Sequence, residues 1–371
     1  MNAAWFNAVQ EELARIVERF EPGGLNPADL TQVARVLDDL VHEMWGDVTP
    51  EAVVPFDIRC ACSFPAGVGF AGSYGGVILG GTNGYFMVTY DGGQSYSAPV
   101  QLNDGAGGHP DILSIAWSTA RNKFVAVGAS GTVWTLAAAD LSWAWAGPAA
   151  GTGISAHNLN AVAYVPSIAG NPDAWIAVGD DATILVGGGA AAPSTWSAAA
   201  GVPGIVANLY GLTYVPGTGT VYACGESDAA TGVVIWAGPT TLLTAWTSAG
   251  VFGTPLRGLA YGPQVAGFAG VIAVGDGGAI WYQAPGASVF TAAQSDGPSW
   301  TAVASMGGLV AVSTEGIVGS SVDGTTWRWH FGGQGFPGVT AISCVAFAPL
   351  ARWWVAGGAG QVVKSSAGRG Q

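Results

Sequence analysis

Residues Lys123 to Leu136 read KFVAVGASGTVWTL, and this stretch decides the fold. A run of small and β-branched residues meets a Gly-containing turn, and a second apolar run follows, which is the pattern of a tight β-hairpin. The stretch recurs as WIAVGDDATILVG from Trp175, VYACGESDAATGVVIWAG from Val221 and VIAVGDGGAIWYQ from Val271. Weaker copies begin at Val77, Leu309 and Trp354. These seven copies make the chain a repeat protein, in which no unit can bury its apolar face alone.

Around each hairpin the same plan repeats. A strand of small residues ends in an aromatic, a Pro/Gly-rich loop follows, then the hairpin, then a strand often marked by Trp. The first-strand aromatics are Phe64, Trp117, Tyr164, Tyr214, Tyr261 and Phe347, with Ser305 in the sixth unit, at spacings of about 42 to 53 residues. That is the length of a four-stranded propeller blade. The last-strand aromatics include Tyr96, Trp145, Trp196, Trp246, Phe290 and Trp327. The expected fold is all-β: a seven-bladed β-propeller over 48–371, preceded by a small α-helical hairpin over 1–47. After Val362-Val363-Lys364 the seventh unit lacks its Trp strand. Glu51 to Phe56 is apolar and lies just ahead of the first unit, so it is expected to pair there and close the ring rather than leave open edges.

Composition excludes several classes. Only 9% of residues are charged and 50% are hydrophobic, so this is not a disordered chain. No apolar window reaches the roughly 18 to 20 residues of a membrane helix, and no membrane insertion is expected. A net charge of −13 argues against nucleic acid, which needs a Lys/Arg footprint. The first residues, MNAAWFNAVQEELARIV, carry no basic and compact apolar blocks of a secretory signal. Cys60, Cys62, Cys224 and Cys344 have no metal-ligand spacing and read as free buried thiols. No metal, cofactor or phosphate-loop motif is found, and none is expected.

The first fifty residues are a different module. Trp5, Val9, Leu13, Ile16 and Phe20 recur at helical spacing, and Pro22-Gly23-Gly24 stops that helix. Asn26 then serves as N-cap with Pro27 in the first helical position. Leu30, Val33, Leu37, Leu40 and Met44 follow at alternating spacings of three and four, an apolar seam of about two heptads. A hairpin this small must bury its stripe against itself, other copies or another protein. Trp5, Val9, Leu13, Ile16, Leu30, Val33, Leu37, Leu40 and Met44 are therefore the expected assembly interface.

Residues 4 to 44 also carry a resemblance. WFNAVQEELARIVE followed by GGLNPADLTQVARVL resembles the amino-terminal segment shared by many tailed-bacteriophage tail-fibre and tail-appendage proteins. The resemblance implies a virion-proximal segment that docks on other tail or virion proteins, ahead of a variable distal part. It implies a virion location after assembly in the host cytoplasm, and a homo-oligomer, with a trimer favoured by analogy. Two turns carry a second resemblance. Tyr90-Asp91-Gly92-Gly93-Gln94-Ser95-Tyr96 and Ser321-Val322-Asp323-Gly324-Thr325-Thr326-Trp327 are similar to the Asp-box turn of sialidase-like propellers. In such a turn the Asp accepts backbone N–H groups, Gly supplies unusual dihedrals and the aromatic packs beneath. Asp91, Gly92, Tyr96, Asp323, Gly324 and Trp327 are thus structural, and they carry no chemistry.

A sialidase would need three arginines around the substrate carboxylate, and none of Arg59, Arg257 or Arg352 has the flanking motif. Phe56-Asp57-Ile58-Arg59 lacks the Arg-Ile-Pro order. Asp180, Asp181, Asp276 and Glu315 fall in hairpin turns, where acidic and amide residues serve the backbone. His42, His109, His157 and His330 are isolated. No catalytic residue is assigned. The expectation is a non-enzymatic virion protein whose propeller is displayed toward host-surface glycans or proteins. The competing readings are a glycan-cleaving propeller enzyme of the tail and a bacterial assembly factor with sialidase-like blades.

Overall fold

Each copy of the hairpin stretch becomes the second and third strands of one antiparallel sheet. The computed structural model describes residues 52–65, 75–90, 95–137, 157–167, 172–188, 196–265, 268–305, 308–321, 323–329, 341–348 and 353–364. The helical-hairpin expectation over 1–47, with its nine interface residues, lies outside these residues, as do Asp91, Gly92 and Trp145. The described strands all belong to the unit Val48–Lys364.

They form seven sheets. Blade 1 runs Ile58–Phe64, Gly76–Gly81, Tyr85–Thr89 and Val100–Gln101. Blade 2 begins Ile112–Ser118, Lys123–Gly128 and Val133–Ala137, three strands among the described residues. Blades 3 to 6 have four strands each, starting at Leu159, Asn208, Leu256 and Trp300. Blade 7 takes three strands from the carboxy-terminal end, Cys344–Ala348, Trp353–Gly358 and Gln361–Lys364. Its fourth is Ala52–Val53, pairing Ala52 with Val362 and Val53 with Gln361. The expected closing strand is therefore present, extended by Val54 N–H donating to Gly360 O at 2.9 Å. First strands of consecutive blades touch all the way round, and the first blade's touches the seventh's. The chain is an all-β seven-bladed propeller of four-stranded blades.

Burial follows the wedge geometry. The second strands Gly76–Gly81 and Ala174–Gly179 are buried along their whole length, because they have a neighbouring blade on each face. Each described apolar cluster joins two adjacent blades. Phe64 and Ile78 of blade 1 pack with Ile112, Phe124 and Trp134 of blade 2. Val125 and Val133 of blade 2 pack with Trp175 and Trp196 of blade 3. Phe56 and Ile58 meet Val355 and Val362 across the seam where the ring closes. The first-strand aromatics lie over the aromatic that opens the second strand: Trp117 on Phe124 at 4.5 Å, Tyr164 on Trp175 at 5.0 Å and Phe347 on Trp354 at 5.0 Å. Last-strand Trp196, Trp246 and Trp327 are buried between blades, as the taper requires.

The recurring glycine of the hairpin stretch is not only a turn residue. Gly81, Gly128, Gly179, Gly225 and Gly275 each end the second strand in extended pairing with the start of the first. A Cβ there would lie 1.8 to 2.1 Å from the carbonyl oxygen of Asp57, Asp111, Asn158, Asn208 or Pro255. Close backbone approach, rather than a special dihedral, demands glycine. The sixth blade uses Ser313, fully buried, whose hydroxyl accepts N–H groups of Glu315 and Ile317.

Candidate functional site

The same close approach builds the most connected polar site in the described residues. Opposite the glycine in five blades, and opposite Ser313 in the sixth, the first strand slips by one residue, so each carries a β-bulge. The extra residues are Arg59, Leu113, Asn160, Tyr210, Arg257 and Thr301. A bulge takes its side chain out of the alternation and re-aims it. Because first strands are the innermost strands, these residues are brought together where the first strands begin.

Three of them form a network with the hairpin turns. Asn160 Nδ2 donates to Asp180 Oδ1 at 2.8 Å and to Leu209 O of the next blade at 2.9 Å. Asn158 Nδ2 donates to the other Asp180 oxygen at 2.9 Å. Glu226 Oε1 accepts from Asn208 Nδ2 at 2.9 Å and from the Tyr210 hydroxyl at 2.5 Å. Arg257 grips Asp276 with two bonds, Nε to Oδ1 at 3.1 Å and NH2 to Oδ2 at 2.7 Å. It also lies 3.8 Å from Glu226 Oε2 and 4.6 Å above the Tyr210 ring. The forked pair with Asp276 chiefly raises the Arg257 pKa, so the guanidinium is a fixed charge. Burial, then the neighbouring Glu226, raises Tyr210 above the ordinary phenol value and keeps it a donor.

The turns themselves tie blade to blade. The N–H groups of Asn83, Ser130 and Asp181 donate to the side chains of Asp111, Asn158 and Asn208 in the following blade, at 2.8, 3.2 and 3.1 Å. Gly277 N–H donates to Ser299 Oγ at 3.2 Å. Thr301 Oγ1 reaches Ile342 O of blade 7 at 2.7 Å. The result is a collar of hydrogen bonds around one end of the ring. The carboxylates of Asp180, Glu226 and Asp276 accept hydrogen bonds from the chain's own side chains, so the collar braces blade against blade. A second brace joins blades 2 and 3 at the other end of the strands. There Arg121 holds the buried Asp173 through Nε and NH2, and the Tyr164 hydroxyl donates to the same carboxylate at 2.5 Å. The Arg121 hydrogen bonds hold Asp173 below its ordinary 3.8 against the opposing effect of burial.

Of the residues singled out from sequence, Asp323, Gly324 and Trp327 are brought together. Asp323 Oδ1 accepts N–H groups of Thr325 and Thr326 at 2.8 and 2.7 Å. Burial pushes this carboxyl up, but the two backbone donors outweigh it and its pKa is lowered. Gly324 has φ 73°, and its N–H donates to Ser321 Oγ at 2.9 Å. Trp327 is buried and donates from Nε1 to Gly324 O at 3.2 Å. Tyr96 is half-buried against the seam cluster of blades 7 and 1. Asp180 and Asp276 do sit in turns, yet the bonds their carboxylates accept come from side chains, Asn158 and Asn160 for Asp180 and Arg257 for Asp276, rather than from the turn backbone as expected. That role was missed from sequence. The available signal was a polar residue, Asn160, Tyr210 or Arg257, breaking alternation two positions into a first strand.

No protein-family model matches this chain, and no curated protein matches it. A solved structure described as YCF48 bound to a D1 peptide is similar to it. The likeness covers 88% of this chain and 96% of that one, at 16% identity and a TM-score of 0.60. The shared property is the propeller fold. At that identity the likeness assigns no site residue.

Proposed function

We propose that this chain is a non-enzymatic structural protein of a phage virion, a tail fibre or appendage. Its N-terminal segment docks on the particle, and its propeller is displayed for host-surface recognition. The observation that carries the reading is the paired blocks of residues 4–44, which resemble tail-fibre amino termini. The ring closes with a strand taken from Ala52–Val53. Blade 7 is thus completed by Ala52–Val53, without a strand from the residues ahead of it. The Ser321–Trp327 turn has the hydrogen bonding that an Asp box needs, which favours kinship with sialidase-like blades. The collar's carboxylates are engaged internally, which favours recognition over hydrolysis. A propeller of the same fold is described bound to a peptide, an analogy at the level of fold only.

The decisive experiment is immunogold labelling and mass spectrometry of purified particles from a producing host. The chain is expected in the particle, and its absence there ends this reading. Incubating the purified chain with host polysaccharide should release no reducing ends. Their release would replace display with cleavage. Light scattering of residues 1–371 against 48–371 should give a trimer and a monomer; equal monomer masses would remove the helical segment as an assembly device.

A further inference from the structure

A cleft of about 530 Å³ opens between blades 4 and 5, at the end of the strands opposite the collar. Its walls come from the turn after the first strand of blade 4 and from the turn Ala284–Ser288 that follows the third strand of blade 5. Tyr222, Tyr261, Gln283, Thr218, Thr220 and Ser288 line it. We infer that this cleft binds a neutral saccharide, and the inference deepens the proposed recognition role, on which it rests.

The chemistry of the lining selects the ligand class. Among the described residues, the lining contains no carboxylate and no cationic side chain. An ionised ligand would lose its hydration there without a countercharge. A wholly apolar ligand would strand the hydroxyl and amide groups. A sugar ring offers what remains: C–H faces suited to aromatic side chains and a rim of hydroxyls suited to Thr and Ser. The volume falls within the range of about 300 to 1,000 Å³ usual for small-molecule sites.

The site is also held in shape before any ligand arrives. Gln283 is only 6% exposed, and its Nε2 donates to Ala287 O at 3.0 Å, fixing the turn that forms one wall. The Tyr222 ring meets Phe290 edge-on at 6.4 Å, and Phe290 meets Phe252 at 5.8 Å. A ring anchored through such a stack loses little freedom on binding. Thr218 and Ser288 are exposed at the mouth, so a longer glycan chain has a way out on both sides.

The test uses the full chain on an array of neutral and anionic hexose oligosaccharides. The tightest neutral one is then titrated calorimetrically. Ser288→Trp fills the mouth from an exposed position and should weaken binding at least tenfold with an unchanged melting temperature. Tyr222→Phe keeps the ring and its packing, and should weaken binding severalfold through the lost hydroxyl. Binding of anionic glycans alone, or of no glycan at millimolar concentration, overturns the inference. So does Ser288→Trp binding like the parent chain. Labelled chain applied to a panel of bacterial strains separates the two levels. Cell binding unaffected by Ser288→Trp removes the saccharide cleft and leaves recognition standing. Cell binding by none of the proteins removes recognition itself.

Discussion

Replacing Gly225 by Ala should be among the most damaging single-methyl additions in the ring. The new Cβ would sit 1.8 Å from Asn208 O, and 2.8 Å from both Asn208 C and Leu209 Cα. All three are backbone atoms, so no rotamer change relieves the clash. Real Cβ contacts do not fall below 3.0 Å, so the strands must part by more than an ångström. Overpacking of this kind costs about 1–3 kcal/mol. Parting the strands also drags Asn208, which accepts from Asp181 N–H and donates to Glu226. Loosening those two bonds adds about 1 kcal/mol each. The expected loss is therefore about 3–5 kcal/mol, near the top of the range for point mutants. Gly253→Ala is the control, since nothing lies within 4 Å of its Cβ; it should change stability by no more than about 1 kcal/mol. Urea unfolding followed by fluorescence and circular dichroism reads the difference as a shift in midpoint. Equal midpoints for the two variants would refute the claim that backbone proximity selects glycine in the repeat.

Three further outcomes follow from the described contacts. Deleting residues 50–56 removes the fourth strand of blade 7 and the buried Phe56, and should lower the melting temperature sharply; an unchanged melting curve would refute the closing strand. Asp173 has a folded pKa below its ordinary 3.8, so its contribution is complete above that value and lost as pH falls through the folded one. The stability gap between parent and Arg121→Gln should accordingly shrink on acidification below about pH 4, measured by thermal melts across pH. The four cysteines are free and buried, and burial pushes Cys62 and Cys344 up to about 12. A thiol reagent at pH 8 should label none in the native protein and all after denaturation, because only thiolate reacts; rapid native labelling would contradict the burial.

The hairpin stretch was legible because its two strands are buried on both faces and so read as continuous Val, Ile and Ala runs around a turn. Lys123–Leu136 maps directly onto the strands Lys123–Gly128 and Val133–Ala137. The closing strand was legible for a different reason: the apolar stretch 51–56 lies just ahead of the first unit, and an open sheet edge is costly. The collar was not legible. Its members are far apart along the chain, as with Asn160 and Leu209, and a one-residue bulge brings them together. A polar residue breaking alternation marks the bulge at Asn160, Tyr210 and Arg257, but Leu113 in the same position gives no such mark. The cleft was equally hidden, because Tyr222 and Gln283 belong to neighbouring blades and each alone looks like ordinary blade packing.

The seam between blades 7 and 1 fixes the order in which the ring can mature. Ala52–Val53 is synthesised ahead of every blade's first strand, while its partner Gln361–Lys364 comes only after the other blades have been made. During translation the early strand has no mate, so the circle stays open until the last repeat is available. A message broken within the last blade would thus yield a product with two raw sheet edges, prone to pair with neighbours instead of with itself. Joining the seam by a covalent linker and opening the chain between two other blades should shift the point of closure without altering the finished disc.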